Sequence, residues 1–93
     1  MIFLAPKAIA DIERLREFLQ PNNPDAAGRA LRLIWDALER VERFPEPGSA
    51  TSDPRIRQVI VAFGAGAYVI RYSVDRETGA ILVTRIWHGR ELR

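Results

Sequence analysis

With 93 residues, 47% of them hydrophobic and 28% charged, the chain has the length and composition of one folded globular domain and not of a disordered polymer or a membrane span. It lacks cysteine, which excludes a disulfide framework and a thiolate metal site, and its single histidine, His88, cannot anchor a zinc cluster unaided, so neither metal nor cofactor is expected. The net charge of +2 hides an asymmetry: residues 1–54 carry seven basic and nine acidic side chains, residues 55–93 seven basic and three acidic, so the second half reads either as the side that meets an acidic partner, nucleic acid or protein, or as a solvated basic surface.

In chain order, Ile2 to Leu4 is a short β-prone run, too short and too poor in flanking basic residues to be a secretion signal, so a cytoplasmic protein is expected. Pro6 suits the first turn of a helix. From Lys7 to Leu19, Ala8, Ile12, Leu15 and Leu19 form an apolar stripe flanked by Ile9 and Phe18, with Asp11, Glu13, Arg14 and Glu17 expected to point away from it. Gln20 to Pro24 breaks this helix; Asn23 is a good N-cap, and Pro24 with Asp25 suits the first turn of a second helix. There Ala27, Leu31, Ile34, Leu38 and Val41 keep helical spacing, Ala30 and Ala37 permit close approach, and Asp36 with Arg40 and Glu39 with Arg43 are spaced as i, i+4 ion pairs. Trp35 borders the stripe, either as a packing residue or as a partner-binding anchor. Phe44 to Ser49 ends the helix and opens a loop through Asp53 and Pro54 in which regular structure is not expected.

Three strands follow, Arg55 to Phe63, Tyr68 to Val74 and Ala80 to Trp87, joined by hairpin-length connections. Gly64-Ala65-Gly66 is not a phosphate-binding loop, because a strand-like segment follows where a helix should open. The fold class is therefore α+β: a short N-terminal strand, an α-helical hairpin and a three-stranded antiparallel meander (β-α-α-β-β-β), with the helices on one sheet face. Pairing Val74 with Ala80 and Phe63 with Ala67 places Arg57, Arg71 and Arg85 on one face as diagonal neighbours. The even-numbered face (Ile56, Ile60, Tyr68, Ile70, Tyr72, Val74, Leu82, Ile86) is then the one expected to take the helices. The odd face also carries Val59, Val61, Val69, Val83 and Trp87, which reads either as a solvated sheet surface or as a docking surface for a polyanion or peptide. A one-residue slip in register would reverse the assignment. His88, at the end of the last strand, reads either as a surface or packing residue or as an acid–base or phosphate-contacting group beside Arg90.

The short strand, the helical hairpin, the Pro-Gly loop, Arg57 at a strand start, Tyr68-Val69-Ile70-Arg71-Tyr72 and the terminal Ile86-Trp87-His88-Gly89-Arg90 together resemble the ParE/RelE superfamily of bacterial toxins from type II toxin–antitoxin modules. The resemblance covers essentially the whole chain as one domain, residues 1–93, and implies one of two activities. RelE-like members are metal-independent ribonucleases that cleave messenger RNA on the ribosome. ParE-like members share the fold without that chemistry and are associated with inhibition of DNA gyrase. Against the ribonuclease pattern, Val69 stands where an arginine is usual, and the preceding strand carries Val59-Ile60-Val61-Ala62 where lysines are expected, while Arg90 matches the C-terminal arginine. Charge stabilisation of a pentavalent phosphate needs several preorganised donors. The resemblance thus favours the ParE branch, a toxin that binds its target and stops replication and growth. The target-binding residues it implies are Arg57, Arg71, Arg85, His88 and Arg90. A ribonuclease using His88, Arg90 and Arg71, and an inactive homologue retained to bind an antitoxin, are the alternatives. A cognate antitoxin is implied as partner, contacting Trp35, Val69 and Trp87.

Overall fold

The computed structural model describes residues 1–19, 24–44, 49–64 and 66–89. The elements are β1 (Ile2–Leu4), α1 (Pro6–Leu19), α2 (Pro24–Arg43), β2 (Ser49–Ala50), β3 (Arg57–Phe63), β4 (Gly66–Val74) and β5 (Ile81–His88). They form one sheet in the order β1-β5-β4-β3-β2. The β-α-α-β-β-β plan is as expected, with one addition. The segment expected to lack regular structure contributes the two-residue strand β2, antiparallel to β3, because its residues reach the open edge of β3 at Arg57 and Gln58. Thr51 staples the turn that follows, its single hydroxyl proton shared between the carbonyls of Asp53 and Ile56 at 3.0 and 2.9 Å and its oxygen accepting from the Asp53 N–H at 3.2 Å. The connection 20–23, with the Asn23 cap, and the stretch 45–48 lie outside the described residues.

β1 runs parallel to β5, Ile2 to Leu4 facing Ile81 to Val83, and Pro6 then turns the chain into α1. The two helices cover one face of the sheet. Ala8 and Leu15 of α1, and Ala30, Ile34, Ala37, Leu38 and Val41 of α2, pack against Val61, Tyr68, Ile70, Tyr72, Ile81, Val83 and Ile86. The alanines at 30 and 37 let α2 approach closely, as their spacing indicates. The expected Asp36–Arg40 and Glu39–Arg43 pairs do not close among the described residues. α1 instead carries a Glu13–Arg16 pair at 2.5 Å, and the N-terminal ammonium pairs with Glu42.

Both hairpins differ by one residue from the expected register. Phe63 faces Gly66, not Ala67, and Val74 faces Ile81, not Ala80. The turns account for this: Gly64 adopts φ of 59°, which closes a shorter β3–β4 connection, while Asp75 N–H donates to Ala80 C=O at 2.8 Å and Gly79, at φ 75°, receives the reversal. Since directly opposed residues share a face, the slip turns β3 over. Arg57, Val59 and Val61 now lie on the face of Tyr72, Ile70 and Tyr68, and Ile60 projects to the opposite face, 62% exposed.

A β-bulge adds a second change of parity. Tyr72 faces Val83 while Arg71 faces Arg85, so Thr84 is the extra residue, its hydroxyl donating to Arg71 C=O at 3.2 Å. Below the bulge the odd residues Ile81 and Val83 enter the core and Leu82 is exposed; above it the even residue Ile86 is buried. The expectation of a uniformly even, helix-covered face is therefore corrected: it holds for β4 and fails in β3 and in the first half of β5.

Candidate functional site

The face of the sheet away from the helices gathers Arg71, Arg85, Val69 and Trp87. Arg71 faces Arg85 and Val69 faces Trp87 across the β4–β5 ladder. Trp87 is only 3% exposed and Val69 8%, yet neither belongs to the helix-side core. The Arg71 guanidinium carbon lies 4.8 Å from the Trp87 ring centroid and that of Arg85 5.8 Å, so both cations lie against the indole. Arg71 Nε also donates to Gln58 Oε1 at 3.3 Å. Like charges directly opposed across a ladder repel, and here the indole and an acidic residue offset that repulsion.

The acidic residue is Asp11. Its stripe position, three residues after Ala8 and four before Leu15, aims it inward, and it is 2% exposed. This corrects the expectation, made from its polarity, that Asp11 points away from the apolar stripe. The carboxylate accepts from Arg85 Nε at 2.8 Å and Nη2 at 3.2 Å, from Arg14 Nη1 at 2.6 Å and from Ile86 N–H at 2.8 Å. Arg14 Nη2 reaches Ile86 C=O at 3.5 Å. Beyond the end of β1, α1 thus supplies a side-chain acceptor and a side-chain donor to the outer edge of β5. Burial pushes the Asp11 carboxyl up, but hydrogen bonds from Arg85, Arg14 and Ile86, with the Arg85 charge, outweigh it and hold the pKa below the ordinary 3.8.

The predicted site residues do not all meet. Arg71 and Arg85 share the open face as direct partners, not as diagonal neighbours. Arg57 is separated from them because it faces Tyr72 on the helix side. His88 faces Tyr68, and its ring meets the Tyr68 ring edge-on at 5.3 Å. The imidazole sits over Gly66: a Cβ there would lie 2.8 Å from His88 Nε2, so only glycine leaves the ring its place. An apolar cleft of about 490 Å³ opens beside it, lined by Leu15, Phe18, Leu19, Phe63 and Tyr68, with Arg14 and His88 at its margin. Arg90 lies outside the described residues. Trp35 is 46% exposed on α2, remote in sequence and element from the open face.

A second, wider cleft of about 1040 Å³ lies at the end of the sheet between the turn before β3 and the β4–β5 hairpin, with Arg55, Arg57 and Arg76 among its lining residues. No described helix is long and apolar enough to cross a membrane.

The model of a protein family, described as the ParE toxin of the type II toxin–antitoxin system parDE, matches residues 2–93. Among curated proteins, Toxin RelE1 of Caulobacter vibrioides is 36% identical over 92 residues, which span 99% of this chain and 96% of that one. Toxin RelE3 of the same organism is 36% identical over 90 residues, 97% of this chain and 95% of its own. Among solved structures, a chain of the chromosomal ParDE TA system from P. aeruginosa superposes with a TM-score of 0.73 at 17% identity, covering 94% of this chain and 92% of that one, and so shares the fold.

Proposed function

The chain belongs to the ParE toxin family of type II toxin–antitoxin systems, and from that membership we propose a toxin that acts by binding, inhibiting DNA gyrase and hence replication, and that a cognate antitoxin neutralises. One observation carries the choice of binding over cutting. The polar groups that would have to converge on a scissile phosphate are divided between the two faces of the sheet: Arg71 and Arg85 on the open face, His88 on the helix face against Tyr68. Val69 and the run Val59 to Ala62 add no charge between them. Phosphoryl-type transition states are stabilised by several donors aimed at one point, and this distribution does not aim them at one. The Arg71–Trp87–Arg85 surface suits recognition instead, since arginine and tryptophan dominate the energetics of protein interfaces. In this reading Arg71 and Arg85 contact the target and the half-exposed Trp35 serves the antitoxin, while Val69 and Trp87, expected from the sequence as antitoxin contacts, are buried and back the arginines.

Purified protein added to a gyrase supercoiling assay should lower supercoiling and trap a cleavage complex, with the cognate antitoxin reversing both. Unchanged supercoiling and no trapped complex would refute the proposal.

The names of the two Caulobacter relatives favour a second reading, a ribosome-dependent messenger RNA endoribonuclease using His88, Arg90 and Arg71. Induction of the chain alone separates the two. Rapid transcript cleavage abolished by His88→Ala supports the ribonuclease, whereas intact transcripts with condensed nucleoids and a DNA-damage response support the gyrase inhibitor.

A further inference from the structure

β1 ends the sheet, and its outer edge carries none of the devices that usually protect such an edge. The stretch Ile2–Leu4 holds no charge, proline or bulge. Met1 C=O accepts from the Ile81 N–H, and the Ala5 N–H donates to Val83 C=O, both at 2.9 Å, so the odd residues of this segment bond to β5. In a parallel ladder the alternate residues direct their N–H and C=O groups the other way, which leaves those of Ile2 and Leu4 facing out from the sheet. Farther along, the same side of β5 is closed by Asp11 and Arg14 at Ile86, but no described strand lies beyond β1. The side chains add an apolar patch. Ile2 and Leu4 pack against the helix-side core, so Phe3 projects to the open face, 50% exposed, beside its ladder partner Leu82, 40% exposed. Met1, two residues before Phe3, is 74% exposed. Together they offer roughly 300 Å² of apolar surface per copy, the size at which a patch on a monomer is often functional.

We propose that this edge pairs with the same edge of a second copy of the chain, the two β1 strands running antiparallel about a two-fold axis at Phe3. Ile2 of each copy then faces Leu4 of the other, and these pairs exchange N–H···O=C bonds through the groups that β5 leaves unused. Phe3 meets Phe3 of the second copy as a non-hydrogen-bonded pair, in which side chains come closest, with a Leu82 on either side. Directly opposed residues share a face, so the sheet becomes continuous with the helices of both copies on one side of it. Two features select a second copy as the occupant. It brings its own Phe3 and Leu82, so each exposed patch covers the other. Charge agrees with this, because antiparallel pairing carries the exposed Lys7, just past the Leu4 end of one strand, to the Met1 end of the other, where Glu42 stands at the N-terminal ammonium. Symmetry repeats that pairing of opposite charges. The patch and the short strand bury less than the roughly 1,200 Å² of a standard interface, which puts the dimer in the weak, concentration-dependent class. The proposal does not depend on which cellular target the toxin has.

The test is sedimentation equilibrium of the full chain from about 5 to 500 µM, a range suited to a weak interface. The average mass should rise from monomer toward dimer. Phe3→Asp sets like charges against each other at the axis and should weaken association by about tenfold or more. Ile60→Asp, at the 62% exposed position on β3, should leave it unchanged and so excludes a general charge effect. Both positions are exposed, and an unchanged melting temperature confirms that the variants fold. An equimolar mixture of Phe3→Asp and Phe3→Lys chains should associate far more than either alone, because the residue meets its own counterpart. The chain has no cysteine, so Phe3→Cys should form a disulfide-linked dimer on oxidation, and Ile60→Cys should not. A monomer throughout the range, association that Phe3→Asp leaves unchanged, or a mixture that stays monomeric would overturn the proposal. Association lost on Ile60→Asp instead would overturn it in favour of the β3 edge. Slowed hydrogen exchange at the Ile2 and Leu4 amides that appears only on adding the antitoxin, and not at high concentration of the chain alone, would assign the edge to that partner and overturn it too.

Discussion

Replacing Asp11 tests the central structural argument, that a carboxylate from α1 holds the outer edge of β5 and one arginine of the open face. Asp11→Ala removes four hydrogen bonds at once and strands the Ile86 N–H, a buried donor. An unsatisfied buried donor costs about 1–3 kcal/mol. The two arginine side chains are 44% and 43% exposed and regain water, which keeps the loss below the roughly 3–5 kcal/mol seen when a fully buried pair is broken. The expected destabilisation is about 2–3 kcal/mol, read as a fall in the urea midpoint at constant slope. Asp11→Asn keeps one acceptor and should cost about half as much. A loss under about 0.5 kcal/mol for Asp11→Ala, the range of ordinary surface substitutions, would refute the reasoning.

The same residue predicts a pH dependence with a definite sign. Because the folded state holds the Asp11 pKa below the ordinary 3.8, the unfolded state binds the proton more readily. The contribution is therefore fully present above 3.8 and is lost as pH falls through the lower, folded value. Stability measured between pH 5 and pH 2 should fall less steeply in Asp11→Asn than in the parent chain, and parallel curves would contradict the assignment.

Three further outcomes follow from the geometry. Gly66→Ala should displace the His88 ring, moving the His88 and Tyr68 ring resonances in NMR spectra at a stability cost of about 1 kcal/mol, since a side chain can yield where backbone cannot. Gly79→Ala, at φ 75°, should cost about 1–2 kcal/mol by thermal melt, and Gly79→Asn less, because asparagine tolerates the left-handed region better. Arg71→Ala should remove about 0.5–1 kcal/mol of cation–π attraction and change Trp87 fluorescence, whereas Arg32→Ala on the exposed side of α2 should do neither.

The fold was legible in the sequence because its elements announce themselves by period. The α2 stripe of Ala27, Ile34, Leu38 and Val41 and the three β-branched runs follow from spacing alone, and so does a helix entered at Pro6. The register was not legible, for a local reason. A left-handed glycine at 64 and the closing bond from Asp75 to Ala80 decide where pairing starts, and one residue there reverses every side chain downstream. The bulge at Thr84 left only a faint signal, a change in the parity of the apolar residues between Val83 and Ile86. Polarity points Asp11 outward, whereas its spacing from Ala8 and Leu15 puts it on the buried stripe, and position wins because Arg85, Arg14 and the Ile86 N–H satisfy the carboxylate there. Register matters most for the arginines: Arg71 and Arg85 share a face in either register, whereas the one-residue shift of β3 carries Arg57 to the other.

The joined pair also bears on what the open face can do. A catalytic cation must be preorganised toward charge that develops only in the transition state. Arg85 is instead committed in the resting protein to Asp11 through two hydrogen bonds, and Arg71 to Gln58 and the Trp87 ring. Cations already engaged in this way are well placed to exchange one set of contacts for another when a surface docks over Val69 and Leu82, at little cost in ordering because their side chains are already held. Moving Arg85 onto a phosphate would break its two hydrogen bonds to the buried Asp11 carboxylate. The arrangement that stabilises the edge of β5 is thus the physical basis of the binding reading proposed above.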